Sequence, residues 1–136
     1  MIQVDVVNAH PTTRLQHKPF QTSVQSVLKW GKVKQAQVTV IFVDDQELLR
    51  MNREFLNHNY FTDVITFPIE DDPLEGEIYI SIDRAREQGR ERSIPLYSEV
   101  SRLVIHGTLH LLGYDDGTAT ERQEMTRLED QFLQKR

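Results

Sequence analysis

Cysteine is absent from this chain of 136 residues. A disulfide framework is therefore excluded, and any transition-metal site must be built from histidine, aspartate and glutamate. The chain also lacks an apolar run near the roughly 20 residues that a membrane-spanning helix needs. Its start, from Met1 to Asn8, lacks the basic segment and apolar stretch of a secretory signal. These absences predict a cytoplasmic protein, and the length fits a single domain over residues 1–136.

Basic residues are fewer than acidic ones, 16 against 21, which gives a formal net charge of −5. This balance argues against a nucleic-acid partner, but five of the acids lie between Glu70 and Glu77 without any base. The rest of the chain holds 16 acids and 16 bases. A locally basic face that binds nucleic acid therefore remains compatible with the composition.

Hydrophobic periodicity predicts an alternation of strands and helices. Four strands are expected from alternating or β-branched apolar runs, around residues 2–6, 38–43, 63–67 and 77–82. About five helices are expected, at 20–30, 44–56, 83–92, 95–112 and from Thr118 or Thr120 onward. The helices gather toward the C-terminus, so we expect an α+β fold in which a small mixed sheet packs against them.

Two histidines, His106 and His110, lie one helical turn apart in a strongly apolar stretch. Residues 103–112 are otherwise apolar on every side apart from Gly107 and Thr108, so this helix should be buried. Burying an imidazole without a partner costs about 1–3 kcal/mol. Side chains four residues apart point the same way, so one metal ion would satisfy both rings. Gly107, which lies between them, would let a strand or substrate approach closely.

A third metal ligand is expected just after the helix. Gly113 can end the helix in a left-handed conformation and turn the chain back toward the histidines. The spacing His-x3-His-x2-Gly-x2-X then places Asp116 at the ligand position X. Asp115 is expected to support the site through a hydrogen bond to an imidazole N–H or to the turn backbone.

Two histidines in an apolar helix also fit a structural role, in which each ring finds a hydrogen-bond partner in the core. The glycine turn and the two acids that follow the pair favour the metal site over that alternative. The remaining histidines, His10, His17 and His58, occupy polar, loop-like segments and are predicted to lie on the surface.

The metal-site segment resembles a known family signature. Residues 106–115 resemble the H-G-x-L-H-L-x-G-Y-D-H motif of the YbeY-like endoribonucleases. Residues 51–55 and 62–67 resemble the family's L-N-x-x-Y and T-D-V-L-S-F segments, and residues 76–81 resemble its G-D-I-x-I-S strand. The order and spacing of these motifs match from about Val38 to Leu133.

The resemblance implies a metal-dependent, single-strand-specific endoribonuclease of ribosomal RNA processing, with roles in 16S rRNA 3′-end maturation and ribosome quality control. It implies one divalent metal per chain, with zinc the expected ion, and RNA and small-subunit ribosomal proteins as partners. It also implies that His106 belongs to the catalytic centre. Arg53 is matched to the family's functional arginine, which implies phosphate binding.

One position departs from the family pattern. The family has a third histidine where this chain has Asp116. A carboxylate oxygen binds zinc at about 2.0–2.2 Å, so the site survives the change. The added negative charge would make a coordinated water less acidic and favour harder ions such as Mn²⁺. The residues leave open whether water or the RNA 2′-hydroxyl acts as the nucleophile.

Two other functions fit the same ligands. A zinc peptidase would carry a glutamate next to the first histidine, and this chain has Gly107 there. An assembly factor that binds RNA or the ribosome through a structural metal would normally need four protein ligands, and the motif offers three. Candidates for RNA contacts are Arg84 and Arg86, which also fit a salt-bridged surface, and Tyr114, which also fits core packing.

Overall fold

Alternating apolar residues build one mixed sheet in this computed structural model, which describes residues 1–134. Four strands and five helices follow one another along the described chain: β1 (Ile2–Asn8), α1 (Lys18–Trp30), β2 (Ala36–Val43), α2 (Asp45–Leu56), β3 (Val64–Asp71), β4 (Leu74–Ser81), α3 (Ile82–Arg92), α4 (Leu96–Leu111) and α5 (Ala119–Gln134). The predicted α+β fold, with a four-stranded mixed sheet and five helices, is confirmed.

The strand order in the sheet is β1-β2-β4-β3. β1 and β4 both pair with β2 in parallel, and β3 pairs with β4 in an antiparallel hairpin. The central strand β2 buries Val38, Val40 and Phe42 completely, as expected for a strand with a neighbour on each side. β1 and β3 are the edge strands, and β3 carries the acidic, exposed end of the hairpin.

Helix α4 is the central helix of the fold, and it contacts α1, α3, α5, β3 and β4. Its buried residues lie on all sides of the helix, as its apolar sequence predicted. Gly107 lies against β4, where an added Cβ would come within 2.7 Å of Ile78 Cγ2 and 3.1 Å of Thr66 Oγ1. The expected close approach of a strand at Gly107 is thus confirmed, and it sets the spacing between α4 and the sheet.

Local capping residues determine where helices α2 and α5 begin and where α4 ends. Asp44 accepts a hydrogen bond from the Glu47 N–H and starts α2 as predicted. Thr118 Oγ1 accepts from the Glu121 N–H while the Glu121 carboxylate accepts from the Thr118 N–H, so Thr118 opens α5. Gly113 follows α4 with a φ of 101°, the left-handed conformation that the sequence predicted.

Some boundaries and one histidine differ from the prediction. β4 starts at Leu74 and β3 extends to Asp71, because pairing in the hairpin carries both strands into the acidic segment. The prediction that His10 lies on the surface is wrong: the ring is 7% exposed. Its Nε2 lies 2.9 Å from Asp83 Oδ1, and its Nδ1 accepts the Thr12 N–H, so a loop folds around the ring. His17 and His58 are exposed, as predicted.

None of the helices within residues 1–134 combines the length and the hydrophobicity that crossing a membrane requires.

We expect Gly107→Val to lower the free energy of unfolding by about 1–3 kcal/mol, because its methyl groups would overlap Ile78 in a closely packed interface. Urea denaturation of the two proteins measures the difference. Gly117→Ala is the matched control, since its added Cβ would meet only the Glu121 carboxylate, at 3.7 Å. A Gly107→Val protein as stable as the wild type would show that α4 has room to move away from the sheet.

Candidate metal centre

The two histidines of α4 face each other near the C-terminal end of the helix. Their ring centroids are 4.6 Å apart, and His106 Nε2 lies 3.1 Å from His110 Nε2. Both residues are partly exposed, because this end of α4 emerges from the core beside β3. Two lone pairs that point into the same small space favour a shared cation.

The turn after Gly113 brings Asp116 back to the histidines. Asp116 Oδ2 lies 3.2 Å from His106 Nε2 and 3.5 Å from His110 Nε2. Ligand atoms about 2.1 Å from a tetrahedral ion are roughly 3.4 Å apart, which matches this triangle. The predicted set of His106, His110 and Asp116 is therefore brought together, and its donor atoms suit a divalent transition metal.

A buried glutamate from α5 holds the first histidine in place. Glu129 Oε2 lies 2.7 Å from His106 Nδ1, and Glu129 is itself only 6% exposed. A carboxylate at Nδ1 keeps the proton on that nitrogen and leaves the Nε2 lone pair free for the metal. Arg102 NH1 donates to the other oxygen of Glu129 at 3.0 Å, which compensates the buried charge.

The charges around His106 also set its proton affinity. Burial lowers the pKa of His106, but the hydrogen bond and charge of Glu129 outweigh it, with further contributions from Asp116 and Asp63. The net effect raises the pKa of His106 above its usual range. Since a proton and a metal compete for the ring, metal binding should weaken on acidification at a higher pH than for an isolated histidine.

Glu129 was missed by the sequence prediction, although a signal was present. It lies four residues after Met125 and three before Phe132, on the same helix stripe as the buried apolar residues of α5. An acid on an apolar stripe requires a partner when it is buried. Arg102 precedes His106 by one helical turn, so the two partners of Glu129 occupy one face of α4.

An open cavity of about 540 Å³ lies in front of the metal ligands, and we call it the β3 cleft. It is bounded by the end of α2, the loop that follows it, β3, and the end of α4 with its turn. The lining residues are Asn52, Leu56, His58, Tyr60, Thr62, Asp63, Val64, Ile65, Thr66, Pro68, His106, His110, Asp115 and Asp116.

A smaller cavity of about 270 Å³ lies on the other side of His106, and we call it the arginine cavity. It shares Asp63, His106 and Asp116 with the β3 cleft. Its further lining residues are Arg92, Glu99, Arg102, Leu103, Arg122, Met125, Thr126 and Glu129. His106 and Asp116 thus lie between two cavities of different character, and His110 lines only the β3 cleft.

The other candidate residues lie farther from the ligands or in other contacts. Asp115 is exposed and lines the β3 cleft, while the hydrogen-bond partner of His106 is Glu129. Arg53 is exposed on α2, lies outside the cleft lining, and donates from Nε to Asn59 Oδ1. Its neighbour Asn52 lines the cleft, so Arg53 is at the rim.

The three residues suggested for RNA contacts all make contacts within the chain. Arg84 pairs with Asp45 at 2.7 Å, and Arg86 donates to Thr13 Oγ1 at 2.8 Å. Both arginines fit the salt-bridged surface that was the alternative interpretation. Tyr114 packs against the Trp30 ring at a centroid distance of 5.9 Å, consistent with the core-packing alternative.

We expect Glu129→Gln to weaken metal binding about 10- to 100-fold, because the neutral amide no longer holds and polarises His106. Zinc titration against a competing chelator measures the affinity. Glu124→Gln is the matched control: Glu124 is exposed on the same helix, pairs with Arg127 at 2.6 Å and lines neither cavity, so its loss should leave the affinity unchanged. Equal zinc affinity in Glu129→Gln and wild type would exclude the proposed support of His106.

Comparison with known proteins gives a consistent result. The family model described as Endoribonuclease YbeY matches residues 5–136. A relative from Karelsulcia muelleri named Endoribonuclease YbeY is 44% identical over 98 residues, 71% of this chain and 70% of the relative. One of the same name from Cytophaga hutchinsonii is 38% identical over 120 residues, 87% of this chain and 84% of the relative. The solution structure of TM1509 from Thermotoga maritima superposes with a TM-score of 0.71 at 26% identity, covering 97% of this chain and 87% of that one. This chain therefore belongs to the YbeY endoribonuclease family.

Proposed function

We propose that this chain is a metal-dependent endoribonuclease that cleaves single-stranded RNA at the centre formed by His106, His110 and Asp116. The observation that carries the proposal is the triangle of two Nε2 atoms and one carboxylate oxygen, with sides of 3.1, 3.2 and 3.5 Å, at the edge of an open cleft. Relatives named as endoribonucleases support the reaction class. We propose zinc as the metal, since imidazole and carboxylate ligands in this triangle suit it.

The residues of the chain prepare the site for phosphodiester cleavage. Three protein ligands leave a further coordination position, which the open cleft makes accessible to substrate. His106, His110 and Asp116 would hold a divalent metal there, which would act as a Lewis acid toward the phosphate oxygens. Glu129 keeps the Nδ1 proton of His106 in place, so that His106 presents its free nitrogen to the ion.

The site lacks the general base that a zinc peptidase needs next to its first histidine ligand. The position next to His106 is Gly107, and an added Cβ there would meet Ile78 at 2.7 Å. A glutamate therefore does not fit at the place where a zinc peptidase carries its general base. The accessible, three-ligand site likewise disfavours a purely structural metal, for which four protein ligands are usual.

The biological assignment follows from the family. We propose that the substrate is ribosomal RNA, with a role in 16S rRNA 3′-end maturation and in ribosome quality control. Small-subunit ribosomal proteins are the proposed partners, and the cytoplasm is the proposed location. Arg53 is proposed to bind a phosphate of an RNA strand that leaves the β3 cleft over the rim at α2. Asp115, at the same cleft, is proposed to support the metal turn through hydrogen bonds.

Replacement of His110 by alanine should remove bound zinc and lower the cleavage of a labelled single-stranded RNA by about 100-fold or more, because the metal contributes several kcal/mol of charge stabilisation. Metal content and the initial cleavage rate are measured on identically purified proteins. His17→Ala is the matched control, since His17 is exposed and is not among the residues that line the cleft. Equal cleavage by wild type and His110→Ala would identify a contaminating nuclease as the source of activity.

Replacement of Arg53 by alanine should keep zinc bound and lower kcat/KM for RNA by about 10- to 100-fold, the range for a lost charged hydrogen bond to phosphate. Arg50→Ala is the control on the same helix, because Arg50 is occupied by Glu47 and Glu54. If Arg53→Ala and Arg50→Ala cleave RNA equally well, Arg53 has no part in the reaction.

A further inference from the structure

Exposed aromatic rings follow one another along the end of α2 and the loop after it, which bounds the β3 cleft. Tyr60 and Phe55 are each 56% exposed and Phe61 is 44% exposed, while His58 is also exposed. Single exposed apolar side chains are ordinary, but a group of them beside a cleft marks a binding surface. Of these four, His58 and Tyr60 line the β3 cleft itself, together with the metal ligands.

The rings of His58 and Tyr60 stack on each other. Their rings are within 17° of parallel with centroids 5.1 Å apart, and the Tyr60 hydroxyl lies 2.9 Å from His58 Nδ1. This hydrogen bond fixes the two rings relative to each other. Since more than half of Tyr60 is still exposed, a further flat group can stack on the pair.

Two hydrogen bonds with the buried Asn52 hold the backbone of His58 and Tyr60 in place. This residue is 2% exposed, and its side-chain amide donates to the Tyr60 carbonyl at 2.9 Å. Its own backbone carbonyl accepts the His58 N–H at 3.0 Å. Asn57 between them has a φ of 59°, which gives the loop a sharp turn. The pair is therefore held in place before any ligand binds, which lowers the entropic cost of stacking.

The charge of the cleft favours a nucleobase over other ligands at this pair. Among the described residues that line the β3 cleft there is no lysine or arginine, and there are three acids, Asp63, Asp115 and Asp116. A free phosphate or an acidic peptide would meet repulsion here except at the metal. A nucleobase is uncharged and flat, and its stacking on aromatic rings does not depend on its identity.

We propose that His58 and Tyr60 form a nucleobase subsite, on which one unpaired base of the RNA stacks while a neighbouring phosphate reaches the metal centre. This inference rests on the proposed ribonuclease function and adds the means by which the substrate is held. A base inside a duplex is already stacked and paired, so the subsite selects single strands. The metal then provides the positive charge for the phosphate that the cleft side chains do not.

The test is equilibrium binding of a fluorescently labelled single-stranded RNA to the zinc-loaded protein, measured by fluorescence anisotropy. Binding is measured on ice to slow cleavage, and electrophoresis checks that the RNA stays intact. We expect Tyr60→Ala to raise Kd about 5- to 150-fold, the range for a lost base–aromatic stack. Tyr60→Phe keeps the ring but loses the hydrogen bond to His58, so its Kd should lie between those of wild type and Tyr60→Ala. Tyr97→Ala is the control for a partly exposed tyrosine outside the cleft lining, and its Kd should not change.

An abasic scan separates stacking from a structural effect of the variants. Removing single bases along the RNA should weaken wild-type binding at one position, and Tyr60→Ala should be insensitive to the removal at that same position. Equal affinity of wild type and Tyr60→Ala, or a wild-type profile without a sensitive position, would overturn the subsite. Tyr60-dependent binding on ice, without RNA cleavage when the same wild-type mixture is warmed, would instead support the subsite and refute the proposed ribonuclease function.

Discussion

Close packing of α4 against β4 is the contact from which the site is built. Gly107 allows the helix to approach Ile78 so closely that a methyl group would not fit between them. This approach places the C-terminal end of α4 beside β3, so that His106 and His110 open into the β3 cleft and not into the core. Most of the other α4 residues are buried, which leaves the rings on a rigid support. Rigidity matters because a metal site tolerates only small errors in the positions of its ligands.

A short chain of hydrogen bonds between charged side chains ends at His106. Asp130 and Glu129 both hold Arg102, and Glu129 in turn holds His106. A buried carboxylate is costly unless it is paired, so the bond from Arg102 offsets the burial of Glu129 beside the ring. The same arrangement raises the pKa of His106 despite its burial and keeps the ring in one orientation. Glu129 therefore links the position of α5 to the orientation of the His106 ring.

The two cavities beside His106 differ in the side chains that line them. The β3 cleft offers aromatic rings and acids, so the RNA recognition proposed there depends on stacking and on the metal. The arginine cavity holds three guanidinium groups, of which Arg92 and Arg102 are paired with buried glutamates. The third, Arg122, donates to the backbone carbonyls of Asp116 and Gly117, so a metal held at the ligands would add to Arg122 as positive charge available to a phosphate. This agrees with a chain whose net charge is negative although its proposed substrate is RNA.

Local sequence by itself determined the elements and the ligand set. The His106–His110 spacing and the turn at Gly113 act within about ten residues, so helix periodicity and glycine conformation were enough to predict that Asp116 meets the histidines. Tertiary structure alone decided the remaining contacts. Glu129 and His106 are 23 residues apart, and His10 and Asp83 are 73 residues apart. Such partners come from different elements, and only the packing of the sheet and helices brings them together, because hydrophobic periodicity states which face is buried but not what it is buried against.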